Sequence, residues 1–323
     1  MDVSIVIPTK NAGDILKKVL KAVFDQKTRY TYEVICVDSG SKDGTPDVIR
    51  SYPCRLYEIP ASEFGHGKTR NYGASKGTGE FIVFITQDAL PASDTWLEEF
   101  VDAMKEDERI AGGFGIHYPY PGCNLLDVRD LGTHFHGFGE ENTIYELDDR
   151  ERYDRDEGYR HFLMFFSDNN SCIRRSVWEQ FPYPDVNFAE DQIWMKQMIE
   201  QGYRKVYCPL APVYHSHNYK LSTYFARYYD EYKGVYEMNG YMIAQHKRQL
   251  PGMLYRQVRA DAVWLKHQKL SLGEKLYWAF YSLFRNFDRF FGGYLGGRYH
   301  TYSKRKQEFL DRRISQQYRQ RKA

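Results

Sequence analysis

Apolar positions along the first part of the chain alternate between short runs and one-sided stripes. Val3-Ser4-Ile5-Val6-Ile7 is a run stopped by Pro8, the pattern of a strand buried on both faces of a parallel sheet. Across 11–26, Ile15, Val19, Leu20 and Val23 recur at helical spacing. Residues 33–37 form a second strand, closed by the polar turn Asp38-Ser39-Gly40-Ser41-Lys42-Asp43-Gly44. A short helix to about Tyr52, a strand over 55–59, a helix over 68–76 and a strand over 81–86 follow. Strands and helices in this alternation predict an α/β domain with helices on both faces of a mostly parallel sheet.

The pattern weakens from 118 to about 158, where Gly, His, Asp, Glu and Arg dominate; a long functional loop or irregular insertion is expected there. Strands are predicted at 162–166, 171–174, 206–208 and 213–215, and a helix at 190–201. From Leu221 onward the chain reads as helical, with bulky aromatics and a basic end. The expected organisation is a domain over 1–220 followed by a helical, aromatic-rich C-terminal region over 221–323.

Composition narrows this picture. With 42% hydrophobic and 27% charged residues in 323, the chain can build a packed core, which excludes global disorder. Its 28 Tyr suit sugar sites and membrane interfaces, or equally a Tyr-rich core. The net charge of +2 is unevenly spread: residues 251–323 hold 16 Lys or Arg against 5 Asp or Glu, +11, so the remainder carries −9. A basic tail on an acidic body points to an anionic surface as the tail's partner. No apolar stretch approaches the roughly 18 to 20 residues of a membrane helix. No secretory leader opens the chain, and the five scattered cysteines read as reduced, so a cytoplasmic protein is expected.

Candidate chemistry lies at strand ends. Asp38 ends one predicted strand and Asp88 follows another; ligands of open α/β sheets gather at such ends, and a carboxylate there suits a hard cation carrying phosphate oxygens. Each Asp could equally cap a turn or helix. Phe64-Gly65-His66-Gly67-Lys68-Thr69-Arg70-Asn71 leads glycines and cations into a helix, whose first amides attract anions. Glu190-Asp191 opens a helix, where the macrodipole favours acids and where a general base could reach an attacking hydroxyl. His215-Ser216-His217 closes a short strand and offers a metal ligand from either imidazole.

In this order, the segments Val3-Ser4-Ile5-Val6-Ile7-Pro8-Thr9-Lys10-Asn11 and Val37-Asp38-Ser39-Gly40-Ser41-Lys42-Asp43-Gly44-Thr45 resemble the opening of glycosyltransferase family 2, whose fold is GT-A. Gln87-Asp88-Ala89 stands where that family carries its metal-binding Asp-X-Asp motif, and Glu190-Asp191 resembles its catalytic Glu-Asp pair. Together with His66–Asn71, these look like the bacterial rhamnosyltransferase branch. The resemblance covers roughly 1–220. It departs from the family pattern at Gln87 and Ala89, which leave one carboxylate in the metal motif, and at Ser39, where a second Asp is usual.

The resemblance implies an inverting, metal-dependent glycosyltransferase that moves a sugar, L-rhamnose from dTDP-rhamnose, to a hydroxyl of a glycan or lipid-linked glycan in bacterial surface polysaccharide synthesis. It implies that Thr9 and Asp38 hold the nucleotide's base and ribose, with Asp38 facing the pyrimidine, that Arg70 and Lys68 meet the diphosphate, and that Gln87 completes the donor site. It assigns Mg²⁺ or Mn²⁺ to Asp88, with His215 preferred as the further ligand, the base to Asp191, and sugar or acceptor positioning to Glu190 and Asn170. A sugar nucleotidyltransferase fits less well, because Pro8-Thr9-Lys10-Asn11 replaces a Gly-rich loop after the first strand. A non-catalytic carbohydrate-binding protein is the remaining class. Base-reading nucleic-acid motifs are absent. In the tail, Trp264, Leu272, Leu276, Trp278, Phe280, Phe284 and Phe287 interleave with Lys and Arg, as in an interfacial helix at the inner face of the plasma membrane; packing on the body or in an oligomer is the equal alternative.

Overall fold

The computed structural model describes residues 1–186 and 188–322, the side chains of 320–322 excepted. Its strands are β1 (Val3–Thr9), β2 (Tyr32–Asp38), β3 (Arg55–Glu58), β4 (Phe81–Ile85), β5 (Leu90–Pro91), β6 (Ile110–Tyr118), β7 (Thr143–Tyr145), β8 (Asn170–Arg174) and β9 (Arg204–Tyr214). Its helices are α1 (Ile15–Phe24), α2 (Thr45–Arg50), α3 (His66–Lys76), α4 (Trp96–Lys105), α5 (Leu125–His136), α6 (Arg150–Arg155), α7 (Glu157–Met164), α8 (Arg175–Gln180), α9 (Glu190–Glu200), α10 (Leu221–Asn239), α11 (Leu250–Lys266), α12 (Leu272–Gly297), α13 (Lys304–Arg313) and α14 (Gln316–Lys322). The chain divides into two compact units, Met1–Gly122 with Asp130–Ser216, and Cys123–Arg129 with His217–Ala323.

The first unit is built on one mixed sheet in the order β3-β2-β1-β4-β8-β6-β9-β5, with β7 paired to β9. β3, β2, β1 and β4 run parallel. β8 runs against both of its neighbours, β4 and β6, and β9 is again parallel to β6. The carboxyl ends of β1, β2, β4, β6 and β9 therefore share one edge of the sheet, and β8 begins there, with Asn170 opposite Ile85. Apolar side chains fill both faces. Leu16, Val19, Leu20 and Val23 of α1 and Trp96, Phe100 and Met104 of α4 pack on one face; Trp194, Met195 and Met198 of α9 pack on the other. The third turn of α3 approaches β1 so closely that a Cβ on Gly73 would collide with Val6.

Three local expectations are corrected. Residues 162–166, taken as a strand, belong mostly to α7: a short apolar run has no period that separates strand from helix. The stretch 118–158 is not irregular throughout, since it contains α5, β7 and α6, whose buried residues (Leu126, Phe135, Tyr153) are too sparse to stand out among polar neighbours. The two short strands at 206–208 and 213–215 are one strand, β9, whose register against β6 shifts between Gly115 and His117.

The second unit is helical. α10 and α12 come together through glycine: a Cβ on Gly292 would lie 2.6 Å from the Phe225 carbonyl oxygen, and one on Gly296 would strike that of Tyr229. Asp261 of α11, fully buried, accepts hydrogen bonds from Ser282 Oγ (2.6 Å), Arg129 Nη1 (2.7 Å), and the amides of Asn286 and Gln257 (both 2.9 Å). Burying that carboxylate is tolerable because its lone pairs are matched.

Candidate active site

Thr9, Asp38, Asp88, Asn170 and His215 all reach the shared sheet edge because each ends, begins or directly follows a strand that meets it. Between the ends of β1 and β4 lies a cleft lined by Thr9, Lys10, Phe64, His66, Arg70, Gln87 and Asp88. Gln87 spans its floor, its Oε1 accepting from the Lys10 amide (2.7 Å) and its Nε2 donating to the Lys10 carbonyl (3.2 Å). Phe64, 40% exposed, stands beside His66 at 5.0 Å between ring centroids. The exposed Lys68 lies on the first turn of α3 and is not among the lining residues.

Asp38 does not face the cleft as an open carboxylate. It is 1% exposed, and its two oxygens accept from Thr9 Oγ1 (3.0 Å), Ser41 Oγ (2.6 Å), and the amides of Gly40 (3.1 Å) and Ser41 (2.8 Å). Four bonds occupy the acceptor sites of a carboxylate. Asp38 thus pins the loop after β2 to the end of β1, rather than offering an oxygen to a nucleobase. Asn170 is likewise committed. Fully buried, it accepts from Trp96 Nε1 (2.8 Å) and donates to the Ala211 carbonyl (2.8 Å), tying β8 to α4 and β9 instead of reaching a sugar.

Arg70 lines the cleft, but its guanidinium is paired with acids rather than left open to a diphosphate. Only 5% exposed, its Nη1 pairs with Glu190 and its Nε lies 3.3 Å from the Asp168 carboxylate. Asp168, which the sequence reading did not single out, is 1% exposed and accepts from Ser171 Oγ (2.7 Å) and Tyr183 Oη (2.8 Å), while its backbone amide donates to Asp191 (3.1 Å). Three carboxyls, Asp168, Glu190 and Asp191, therefore gather around one guanidinium. Burial pushes all three upward from the ordinary carboxylate range. Asp191 rises well above it, with the charges of Glu190 and Asp168 adding to burial. Asp191 nevertheless keeps partial access to solvent. A carboxylate that holds a proton more strongly than usual, and can still be reached, has the properties of a general base near neutral pH. Ala189, just before the pair, sits in the left-handed region at φ 56°, a strained conformation for a residue with a Cβ and one that concentrates at functional sites.

Asp88 and His215 face each other from the ends of β4 and β9, with Oδ1 and Nε2 3.7 Å apart. Tyr120 Oη donates to the Asp88 carbonyl (2.9 Å), and burial pushes the Tyr120 phenol up to about 12, so it remains a donor. His117 on β6 lies edge-on to His215 at 5.4 Å between ring centroids; burial pushes it well below the ordinary imidazole range, and its Nε2 has no hydrogen-bond partner among the described residues. A carboxylate facing an imidazole at this distance offers donor types that a divalent cation such as Mn²⁺ accepts. His217 belongs to the second unit.

A parallel half sheet with a cleft at its carboxyl edge and a Glu-Asp pair at the head of α9 is the arrangement of an α/β enzyme that takes its ligand at strand ends. The chain belongs to glycosyl transferase family 2, whose model matches residues 4–178, and it is a glycosyltransferase of GT-A fold. It is 30% identical over 297 residues to the O-antigen chain rhamnosyltransferase WbaN of Salmonella anatum, covering 91% of this chain and 88% of that protein. Among solved structures it is similar to residues 1–349 of S. aureus TarS in complex with UDP (TM-score 0.54, 15% identity, 91% of both chains). It is also similar to the mannosyltransferase PcManGT of Pyrobaculum calidifontis with GDP-Man and Mn²⁺ (TM-score 0.53, 17% identity, 98% of this chain and 82% of that one). Family membership sets aside the nucleotidyltransferase and non-catalytic readings.

Proposed function

We propose that this enzyme transfers L-rhamnose from dTDP-rhamnose, with inversion, to a hydroxyl of a glycan or lipid-linked glycan in surface polysaccharide synthesis. The observation that carries the reading is the likeness to an O-antigen rhamnosyltransferase over nine-tenths of the chain, supported by the Asp191 carboxyl held by the Asp168 amide near the start of β8. The donor's nucleotide occupies the cleft between β1 and β4, bounded by Thr9, Lys10 and Gln87, in a loop shaped by Asp38. Lys68 and the amides opening α3 attract its diphosphate. Asp191 takes the proton of the acceptor hydroxyl, whose oxygen forms a bond to the anomeric carbon as the bond to the diphosphate breaks on the opposite face. Arg70 favours the charged form of Asp191 against the opposing charges of Glu190 and Asp168, and the Asp168 amide helps to hold it in place. Asp88 and His215 would hold Mg²⁺ or Mn²⁺, which when bound supplies positive charge to offset the departing diphosphate.

A donor screen that measures nucleoside diphosphate release, with and without Mn²⁺, tests the reading. Acceptor-dependent release from dTDP-rhamnose, in excess of release from UDP- and GDP-sugars, is the expected result. Turnover of another donor with none of dTDP-rhamnose refutes the donor assignment.

A further inference from the structure

The helical unit presents an apolar face that none of the described residues covers. Between Leu272 and Phe287 of α12, Leu272 (75% exposed), Leu276 (64%), Phe280 (65%), Leu283 (40%), Phe284 (43%) and Phe287 (41%) are all open to solvent. At about 100° per residue they fall within an arc of about 120°, and at about 1.5 Å per residue the stripe runs about 22 Å. The opposite side of the same turns, Ser282, Arg285 and Asn286, is buried. With roughly 150 to 250 Å² per large side chain, the six expose on the order of 600 Å² together, at the upper end of what a soluble surface carries without a partner.

What lies around the stripe indicates its partner. Lys266 and Lys269 are exposed in the turn just before Leu272, and Lys275, one turn into the helix, donates to the Lys266 carbonyl (2.9 Å). The whole unit holds 22 Lys or Arg against 9 Asp or Glu, a net +13. A second copy brought face to face on this stripe would set +13 against +13. An anionic bilayer offers the opposite sign together with an apolar layer a few ångströms beneath it. No helix of the described residues is long and apolar enough to cross a membrane, so the contact is one that lies along the surface.

We infer that the Leu272–Phe287 face of α12 is a docking surface for an anionic lipid bilayer, with the leucine and phenylalanine side chains entering the headgroup boundary and Lys266, Lys269 and Lys275 meeting lipid phosphates. This goes beyond the donor and acceptor assignment and does not depend on it.

The test is co-sedimentation of the full chain with phosphatidylcholine vesicles and with phosphatidylcholine–phosphatidylglycerol vesicles, at low and high salt. The wild type should sediment with the anionic vesicles, and less so as salt rises. Phe280→Asp with Phe284→Asp should lower the partition coefficient about tenfold or more. Lys266→Glu with Lys269→Glu should weaken binding to anionic vesicles alone. Circular dichroism and release of nucleoside diphosphate confirm that each variant is folded. Three outcomes overturn the inference: absence of wild-type sedimentation with anionic vesicles, equal sedimentation of the phenylalanine variant, or a wild-type dimer in light scattering that the phenylalanine variant dissolves while neither binds vesicles.

Discussion

Replacing Arg70 by Met distinguishes two roles for a cation near a diphosphate. In the structure its guanidinium is spent on Glu190 and Asp168, with Asp191 adjoining both. Removing it leaves three crowded carboxyls, two of them almost wholly buried, without their counter-charge. Breaking a buried ion pair by deleting one partner costs about 3 to 5 kcal/mol. For a unit of about 200 residues this corresponds to a fall in Tm of roughly 6 to 20 °C. The sign with pH follows from the carboxyls. Their folded-state pKa values already stand above the usual range, and losing Arg70 raises them further. The penalty is therefore fully present once pH exceeds the raised values and shrinks as pH falls through them and the acids become neutral. Activity follows the same shift: the acid limb of kcat/KM moves to higher pH because Asp191 is protonated over a wider range. Differential scanning calorimetry across pH, pH-rate profiles, and calorimetric donor binding supply the three readouts. Donor Kd should change little. An unchanged Tm together with a tenfold or greater loss of donor affinity would refute this account and return Arg70 to the diphosphate.

Three further outcomes are expected. Asp191→Asn should lower turnover by about 10² to 10⁴ while leaving donor binding intact; in the wild type, kcat/KM should be full above the raised Asp191 pKa and fall as pH drops through it, so an acid limb near the ordinary carboxylate value of about 4 would count against Asp191 as base. Asp88→Ala should abolish the Mn²⁺-dependent part of donor binding in a titration, and unchanged binding regardless of metal would remove Asp88 from the cation site. Gly115→Ala would drive a Cβ into the Ala211 carbonyl and the Asn170 amide, at a cost of about 1 to 3 kcal/mol; a thermal melt identical to wild type would show that the β6–β9 shift absorbs it.

The elements that position the site were legible where a buried strand ends in a polar residue. Thr9, Asp38, Asp88 and His215 each follow an apolar run, and each arrives at the same sheet edge for that reason. Less visible was what each side chain does on arrival. Arg70 and Glu190 are 120 residues apart, and Trp96 and Asn170 are 74 apart; no local period signals that they pair. Asp38 illustrates the same limit, because its four donors come from the strand beside it and the turn after it. Asp168 left one faint mark, the polar series Ser167-Asp168-Asn169-Asn170 directly before an apolar strand. That series has the same form as the loops after β2 and β4, placed before a strand instead of after it.

The reversal of β8 makes the enzyme a composite along its own sheet. The cleft between β1 and β4 is built from a stretch ending at Asp88, and the carboxyls of Asp168, Glu190 and Asp191 come from chain that begins at Asp168. Besides the ladder of backbone hydrogen bonds from β4 to β8, the Arg70 guanidinium crosses between them to Glu190 and Asp168. One guanidinium thus ties the two together: a change at Arg70 alters the wall of the cleft and the charge around Asp191 at once.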